Sequence, residues 1–226
     1  MNNIYEHIQE KVLDWIWYEE HKPQTKYEED KISHDIFRQE HDLDCVLSNG
    51  NLSADTIFSL WLPLRFTLVS INGYKKLNEF GDLNNRYFFL KVLLKRNVME
   101  TLLPKGNESV KLLSRLFQLG QTKANVMILP NRYLQVRGMA PYYDYMPYFL
   151  LECFVGGNFH EVFGTDEKLI AWIIQEKLED FFCGEICKQN IRDLAGTNNI
   201  KCGIPKNIDL LLNNYIDILE SRQYNK

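Results

Sequence analysis

The chain is poor in alanine, with five residues against twenty asparagines, and it has no apolar stretch long enough to span a bilayer. The first imbalance points to an AT-rich coding genome, as in a low-GC bacterium or its phage. The second excludes a transmembrane helix, because the longest nearly uncharged stretch, residues 51–73, is interrupted by Pro63 and Arg65 and reads as a core segment. Met1-Asn2-Asn3-Ile4-Tyr5-Glu6 lacks the basic start and apolar centre of a secretory signal, so a cytoplasmic location is expected and no membrane partner. A glycine-rich phosphate loop is also lacking. Gly156-Gly157 is too short a signal, and no cofactor is expected. Cysteines are few and odd in number (Cys45, Cys153, Cys183, Cys187 and Cys202), in a chain too large to need disulfides, so reduced thiols are expected. The four-residue step from Cys183 to Cys187 has helical spacing and apolar flanks, which predicts burial. His34 and His41 have no matching ligand pair downstream, and no metal site is expected. Acidic runs such as Asp14, Glu19 and Glu20 read as solvated helix faces rather than a divalent-metal cluster.

What is present is apolar and aromatic material in quantity: 45% of 226 residues are hydrophobic and 13% aromatic, enough for a substantial core in one globular domain over residues 1–226. The net charge of −4 conceals an uneven distribution. Residues 1–50 carry a net −7, residues 51–74 are neutral, residues 75–137 carry +8 and residues 138–226 carry −5. An acidic chain thus has a basic middle.

Periodicity predicts mostly helix. Ile4, Ile8, Val12, Trp15 and Ile16 mark an amphipathic helix over residues 3–20 that stops before Pro23, and Ile32, Ile36 and Phe37 mark another over 27–40. Cys45–Leu47 reads as a short strand. Ser53 is read as the cap of a helix through Leu62, kinked or broken at Pro63, with a second apolar run ending at Asn72-Gly73. A helix from Asn85 to Leu103, apolar around most of its circumference, is expected at the centre, with Lys91 and Lys95 sharing a narrow polar face. Asn107 caps and Gly120 stops the next. Beyond the middle of the chain, helices are expected over 145–154, 165–182, 185–194 and 206–221.

Between them, Val126–Leu129 reads as a buried strand closed by Pro130-Asn131, with a second strand over Arg132–Arg137 joined by a hairpin or a bend. Pro141-Tyr142-Tyr143-Asp144-Tyr145-Met146-Pro147 must be a loop, because two prolines remove backbone donors within it. The expected fold class is therefore α+β, predominantly α-helical: seven to nine helices around one small β-sheet or hairpin.

Ile128-Leu129-Pro130-Asn131-Arg132, then Arg137-Gly138, then an apolar helix containing Leu151-Glu152-Cys153, resembles a pattern within an uncharacterised bacterial protein family of unknown function. The resemblance spans residues 124–154. It implies that Arg132 and Arg137 belong to a recurring structural unit, and it implies no activity.

The residues themselves suggest a phosphate-bearing ligand, nucleotide or RNA, taken up by the basic middle and the aromatic loop. Guanidinium forks grip phosphate and flat rings stack on bases, which singles out Arg132, Tyr133, Arg137, Tyr142 and Tyr143 together with Lys91 and Lys95. The competing structural account is that the acidic flanks pack against the basic segment and neutralise it. Two other functions are expected as alternatives. One is a metal-independent nuclease or phosphodiesterase with His160 as its acid–base group; the other is a protein-interaction factor in phage–host conflict, with a protein partner.

Overall fold

The computed structural model describes residues 4–21, 53–95, 97–129, 145–155, 158–197 and 205–224. The expectations for residues 27–40, for Cys45–Leu47 and for the strand over Arg132–Arg137 lie outside the described residues, as does most of the tyrosine–proline loop. The architecture is predominantly helical α+β. Among the described residues there are nine α-helices and one two-stranded antiparallel sheet around one continuous apolar core, and no helix is long and apolar enough to cross a membrane.

Helix α1 (Glu6–Glu20) buries Ile8, Val12 and Ile16, the stripe its spacing predicts, and the Tyr5 hydroxyl ahead of it donates to the Leu103 carbonyl at 2.8 Å. Ser53 does not cap a helix. Ser53–Thr56 is strand β1, paired antiparallel with β2 (Val126–Leu129) in the register Ser53↔Leu129 to Thr56↔Val126. The described partner of the apolar strand is therefore far upstream, not the segment that follows it. Sheet pairing overrides the local capping signal because β2 offers a row of backbone donors and acceptors that must be met. The Asn125 side chain prolongs the pairing. Its Oδ1 accepts from Phe58 N at 2.9 Å and its Nδ2 donates to Phe58 O at 3.2 Å.

Helix α2 (Trp61–Phe80) starts after this strand, and Pro63 lies in its first turn, where a missing N–H costs nothing; it neither kinks nor breaks the helix. The break comes at Gly73, with φ +70° and ψ 155°. The expected single helix over 85–103 is two. Asn85 accepts from Phe88 N to start α3 (Arg86–Leu93), and Asn97, in the left-handed region that asparagine tolerates, separates it from α4 (Val98–Leu102). The centre belongs instead to α5 (Glu108–Gly120), which buries Val110, Leu113, Leu116, Phe117 and Leu119 and packs on α1, on α2 and on the last helix.

Helices α6 (Met146–Val155), α7 (Asn158–Phe163) and α8 (Asp166–Gln175) follow in quick succession, and α9 (Ile208–Tyr224) returns across α5. Helix α8 is shorter than predicted. It ends at Gln175 because the chain turns at Lys177 (φ +54°) and presents the Glu176 and Lys177 carbonyls to Arg222 of α9. The expected helix over 185–194 is a loop closed by an antiparallel Phe182↔Ile191 bridge, with one 3-10 turn at Lys188–Asn190. Cys183 is consequently exposed and Cys187 half-buried, so the burial predicted from helical spacing fails for both.

Arg222 ties these parts together. Its guanidinium is 2% exposed and donates to four carbonyls: Ala124 at 2.7 Å, Val126 at 2.8 Å, Lys177 at 2.7 Å and Glu176. Beside it, Glu176 accepts from Ile128 N at 2.9 Å and the Trp172 indole donates to Ile128 O at 2.7 Å. Among the described residues, the edge of β2 turned away from β1 is thus met by side chains of α9 and α8, which take backbone groups that an exposed edge would offer for pairing. Burial brings the Arg222 proton affinity down to about 10, against the opposing pull of Glu176, Glu179 and Asp180, so the group is cationic at neutral pH.

Replacing Arg222 by leucine strands these carbonyls and removes the cation beside Glu176, and is expected to cost about 3–5 kcal/mol in urea unfolding. Arg222→Lys should recover only part of this, since an ammonium cannot span the same fork. A Cβ on Gly120 would lie 2.7 Å from Leu60 Cδ1, inside a buried contact. Gly120→Ala should therefore destabilise by about 1–2 kcal/mol despite its better helix propensity, and the loss should vanish in a Leu60→Ala background.

Candidate functional site

Of the predicted ligand-binding residues, Lys91 and Lys95 are described, whereas Arg132, Tyr133, Arg137, Tyr142 and Tyr143 lie outside the described residues. Tyr145, from the same aromatic loop, is fully buried. Its hydroxyl donates to Asp193 Oδ1 at 3.1 Å and accepts from Ala195 N at 3.0 Å, and burial raises its proton affinity well above the usual tyrosine range. It is an anchor for the 193–197 turn. No base can stack on it.

Among the described residues, four cations of the basic segment face carboxylates of the protein itself. Lys105 faces Glu100 at 3.4 Å, Lys111 faces Glu108 at 2.8 Å, and Arg115 reaches Glu220 of α9 at 2.8 Å. Lys91 meets Glu20 of the acidic N-terminal helix at 2.5 Å. The acidic flanks do pack on the basic middle, at Glu20 and at Glu220. Exposed pairs of this kind contribute at most about 1 kcal/mol each, so they order the surface cations without locking them.

His160 sits in α7. Its Nδ1 donates to the Cys153 carbonyl at 2.9 Å, at the end of α6, and Asp166 Oδ1 lies 3.7 Å away. A carbonyl fixes the ring by one nitrogen, which is the ordinary way a half-buried histidine is satisfied. The arginines that phosphodiester chemistry would need beside it, Arg132 and Arg137, lie outside the described residues. Among the described residues no group of three His, Cys, Asp or Glu side chains could hold a metal ion.

The arrangement that gathers both cations and open aromatic surface is the corner where the last turn of α1 meets α3. Arg86, the first residue of α3, plants the helix there. Its guanidinium carbon lies 4.5 Å over the Trp15 ring of α1 and 5.7 Å from that of Trp61 in α2, and Trp15 in turn packs edge-on against Phe117 of α5. At the next residue, the Tyr87 hydroxyl donates to Glu20 Oε1 at 3.0 Å, and one turn on the Lys91 ammonium lies 4.4 Å over the Tyr87 ring. The Phe88 ring packs T-shaped against that of Tyr87, with centroids 5.3 Å apart, yet Phe88 is 62% exposed. On the α1 side, the Trp17 and His21 rings stack at 4.5 Å, with His21 Nδ1 donating to the Trp17 carbonyl. Lys95 lies exposed in the turn just past α3.

Electrostatics at the corner follows from these contacts. The Lys91 ammonium, and after it the Tyr87 hydroxyl, hold the Glu20 carboxyl below the ordinary carboxylate range; the same Glu20 bond raises Lys91. Sequence reasoning found Lys91 and Lys95 but assigned Glu20 to a solvated run and passed over Tyr87 and Phe88. The legible signal was the (i, i+3) step from Phe88 to Lys91 and the (i, i+4) step from Tyr87 to Lys91 on one short helix.

Because its folded value is depressed, Glu20 contributes stability above the ordinary carboxylate range and loses it as pH falls through the lowered value; the raised Lys91 contributes below the ordinary lysine range and fails only as pH rises through its folded value. A carboxyl NMR titration should therefore place Glu20 below the ordinary glutamate value, and Lys91→Met should move it back up toward that value. No family model, no curated protein and no solved structure matches the chain.

Proposed function

We propose that the chain is a binding protein for a ligand that carries both phosphate and base, nucleotide or single-stranded RNA, and that the α1–α3 corner is where it binds. The observation that carries this reading is Phe88: a phenylalanine ring 62% exposed, one helical turn from an ammonium and against a second ring. A lone surface aromatic is unremarkable, but a ring beside fixed cations is the composition that single-stranded nucleic acid requires, with bases stacked on rings and phosphates on ammonium groups. Lys91 and Lys95 supply the cations. Arg132 and Arg137 follow β2 in sequence, and they extend the same chemistry under this reading.

A protein partner is the second reading, and Leu13 and Trp17 favour it. They lie one turn apart on α1 and are 54% and 45% exposed, giving this side of the corner an apolar contribution that phosphate does not use. The two readings differ in salt response. Phosphate capture weakens steeply with ionic strength, whereas apolar association does not.

The test is fluorescence titration of the protein with labelled single-stranded RNA and with a labelled nucleoside triphosphate at about 50 and about 200 mM salt. Salt-sensitive binding at micromolar protein is expected. Phe88→Ala should weaken it by roughly ten-fold or more, in line with about 1–3 kcal/mol for a stacked base. Lys91→Met, Arg132→Ala and Arg137→Ala should each reduce the salt dependence. Absence of salt-sensitive binding to both probes ends this reading. Intact RNA after incubation in chelator, with wild-type protein and with His160→Ala alike, separates a binding protein from a nuclease.

A further inference from the structure

We infer that Tyr87 Oη and Lys91 Nζ form an anion subsite on α3 that the protein fills with its own Glu20, so that a ligand phosphate enters by displacing that carboxylate. This rests on the binding role of the corner proposed above and adds to it a specific subsite and a built-in competitor.

The geometry is that of an anion held by two converging donors. A single oxygen of Glu20, Oε1, receives the Tyr87 hydroxyl at 3.0 Å and the Lys91 ammonium at 2.5 Å, both from one face of α3. Two donors on one oxygen is also how a phosphate oxygen is gripped. The donors keep each other in place without the carboxylate, because the ammonium lies 4.4 Å over the tyrosine ring. They also have a solid base, since the same helix is fastened one residue earlier by Arg86 between Trp15 and Trp61.

Glu20, by contrast, is weakly held. It is the last residue of α1, whose final turn contains no basic residue, and the negative end of the helix dipole opposes a carboxylate there. The interactions that favour its charge come from across the corner, and from His21 beside it. Glu20 and Lys91 side chains are each 41% exposed, so an incoming anion reaches the pair from solvent. A phosphate carries at least the same charge, more oxygens and, in a nucleotide or RNA, a base that can settle on Phe88 while the carboxylate swings out. Glu20 in this account sets a threshold: weakly binding anions such as chloride or free carboxylates do not displace it, and a ligand with both phosphate and base does.

Removing an exposed intramolecular competitor of this strength should tighten binding by about two- to five-fold. The experiment compares wild-type, Glu20→Gln, Lys91→Met and the double variant Glu20→Gln/Lys91→Met in the fluorescence titration, using a short labelled single-stranded RNA and a labelled nucleoside triphosphate, with thermal unfolding of each variant to verify folding. The expected result is a gain for Glu20→Gln that disappears in the Lys91→Met background. Equal affinity of wild-type and Glu20→Gln, with binding still dependent on Phe88, overturns the subsite and leaves the binding reading standing. A gain that persists without Lys91 also overturns it, because it marks a long-range charge effect rather than displacement from this pair. Failure of both proteins to bind either probe overturns the subsite and the binding reading together.

Discussion

The structure depends on one buried cation reaching four backbone oxygens. Arg222 stands near the end of α9 and serves the carbonyls of Ala124, Val126, Glu176 and Lys177, which belong to the approach to β2 and to the termination of α8. A guanidinium can do this because its donors lie in one rigid plane and diverge, so one side chain serves carbonyls of a sheet edge and of a helix end together. Glu176 and Trp172 complete the same edge at Ile128. A two-stranded sheet has too little pairing of its own to persist in water, and here it is sustained by helical side chains on one side and a helical core beneath.

That clamp fixes the C-terminal helix against the centre of the molecule, and the centre fixes the corner. Helix α5 packs on α1, α2 and α9 at once, and Phe117 from α5 supports Trp15, on which the Arg86 guanidinium lies. The start of α3 is thereby immobilised by aromatic contacts, while its outer face carries Phe88 and Lys91 into solvent. The division of labour is physical. Rings and alkyl groups gain most from burial and set the geometry, and the charges remain at the margin, where pairing with the protein's own carboxylates is weak enough to be exchanged.

Much of this was legible in the chain. The stripes of α1 and α5, the helix opening at Thr165, the stop at Gly73 and the strand at Val126–Leu129 all follow from spacing and turn chemistry, and the predominantly helical α+β class follows from them. The misreadings share a cause. Ser53 looks like a cap because an apolar run follows it, and the Cys183–Cys187 step looks helical because apolar residues flank it. In each case a strand or bridge partner outside the segment itself takes the backbone groups instead, far along the chain for Ser53 and across one loop for Cys183. Local pattern cannot report such a partner, since period and propensity describe only what a segment prefers in isolation.

Hydrophobic periodicity by itself determined which face of α1 and of α5 turns inward, because burial of apolar surface acts on every turn independently of what covers it. The charge blocks likewise showed that acidic flanks surround a basic middle. Only tertiary structure decided which opposite charges meet, that Glu20 answers Tyr87 from 67 residues away, and that Arg222 answers Ala124 from 98 away. Electrostatic and hydrogen-bonded contacts act over a few ångströms and depend on direction, so they are settled by how the helices cross and not by the order of residues along the chain.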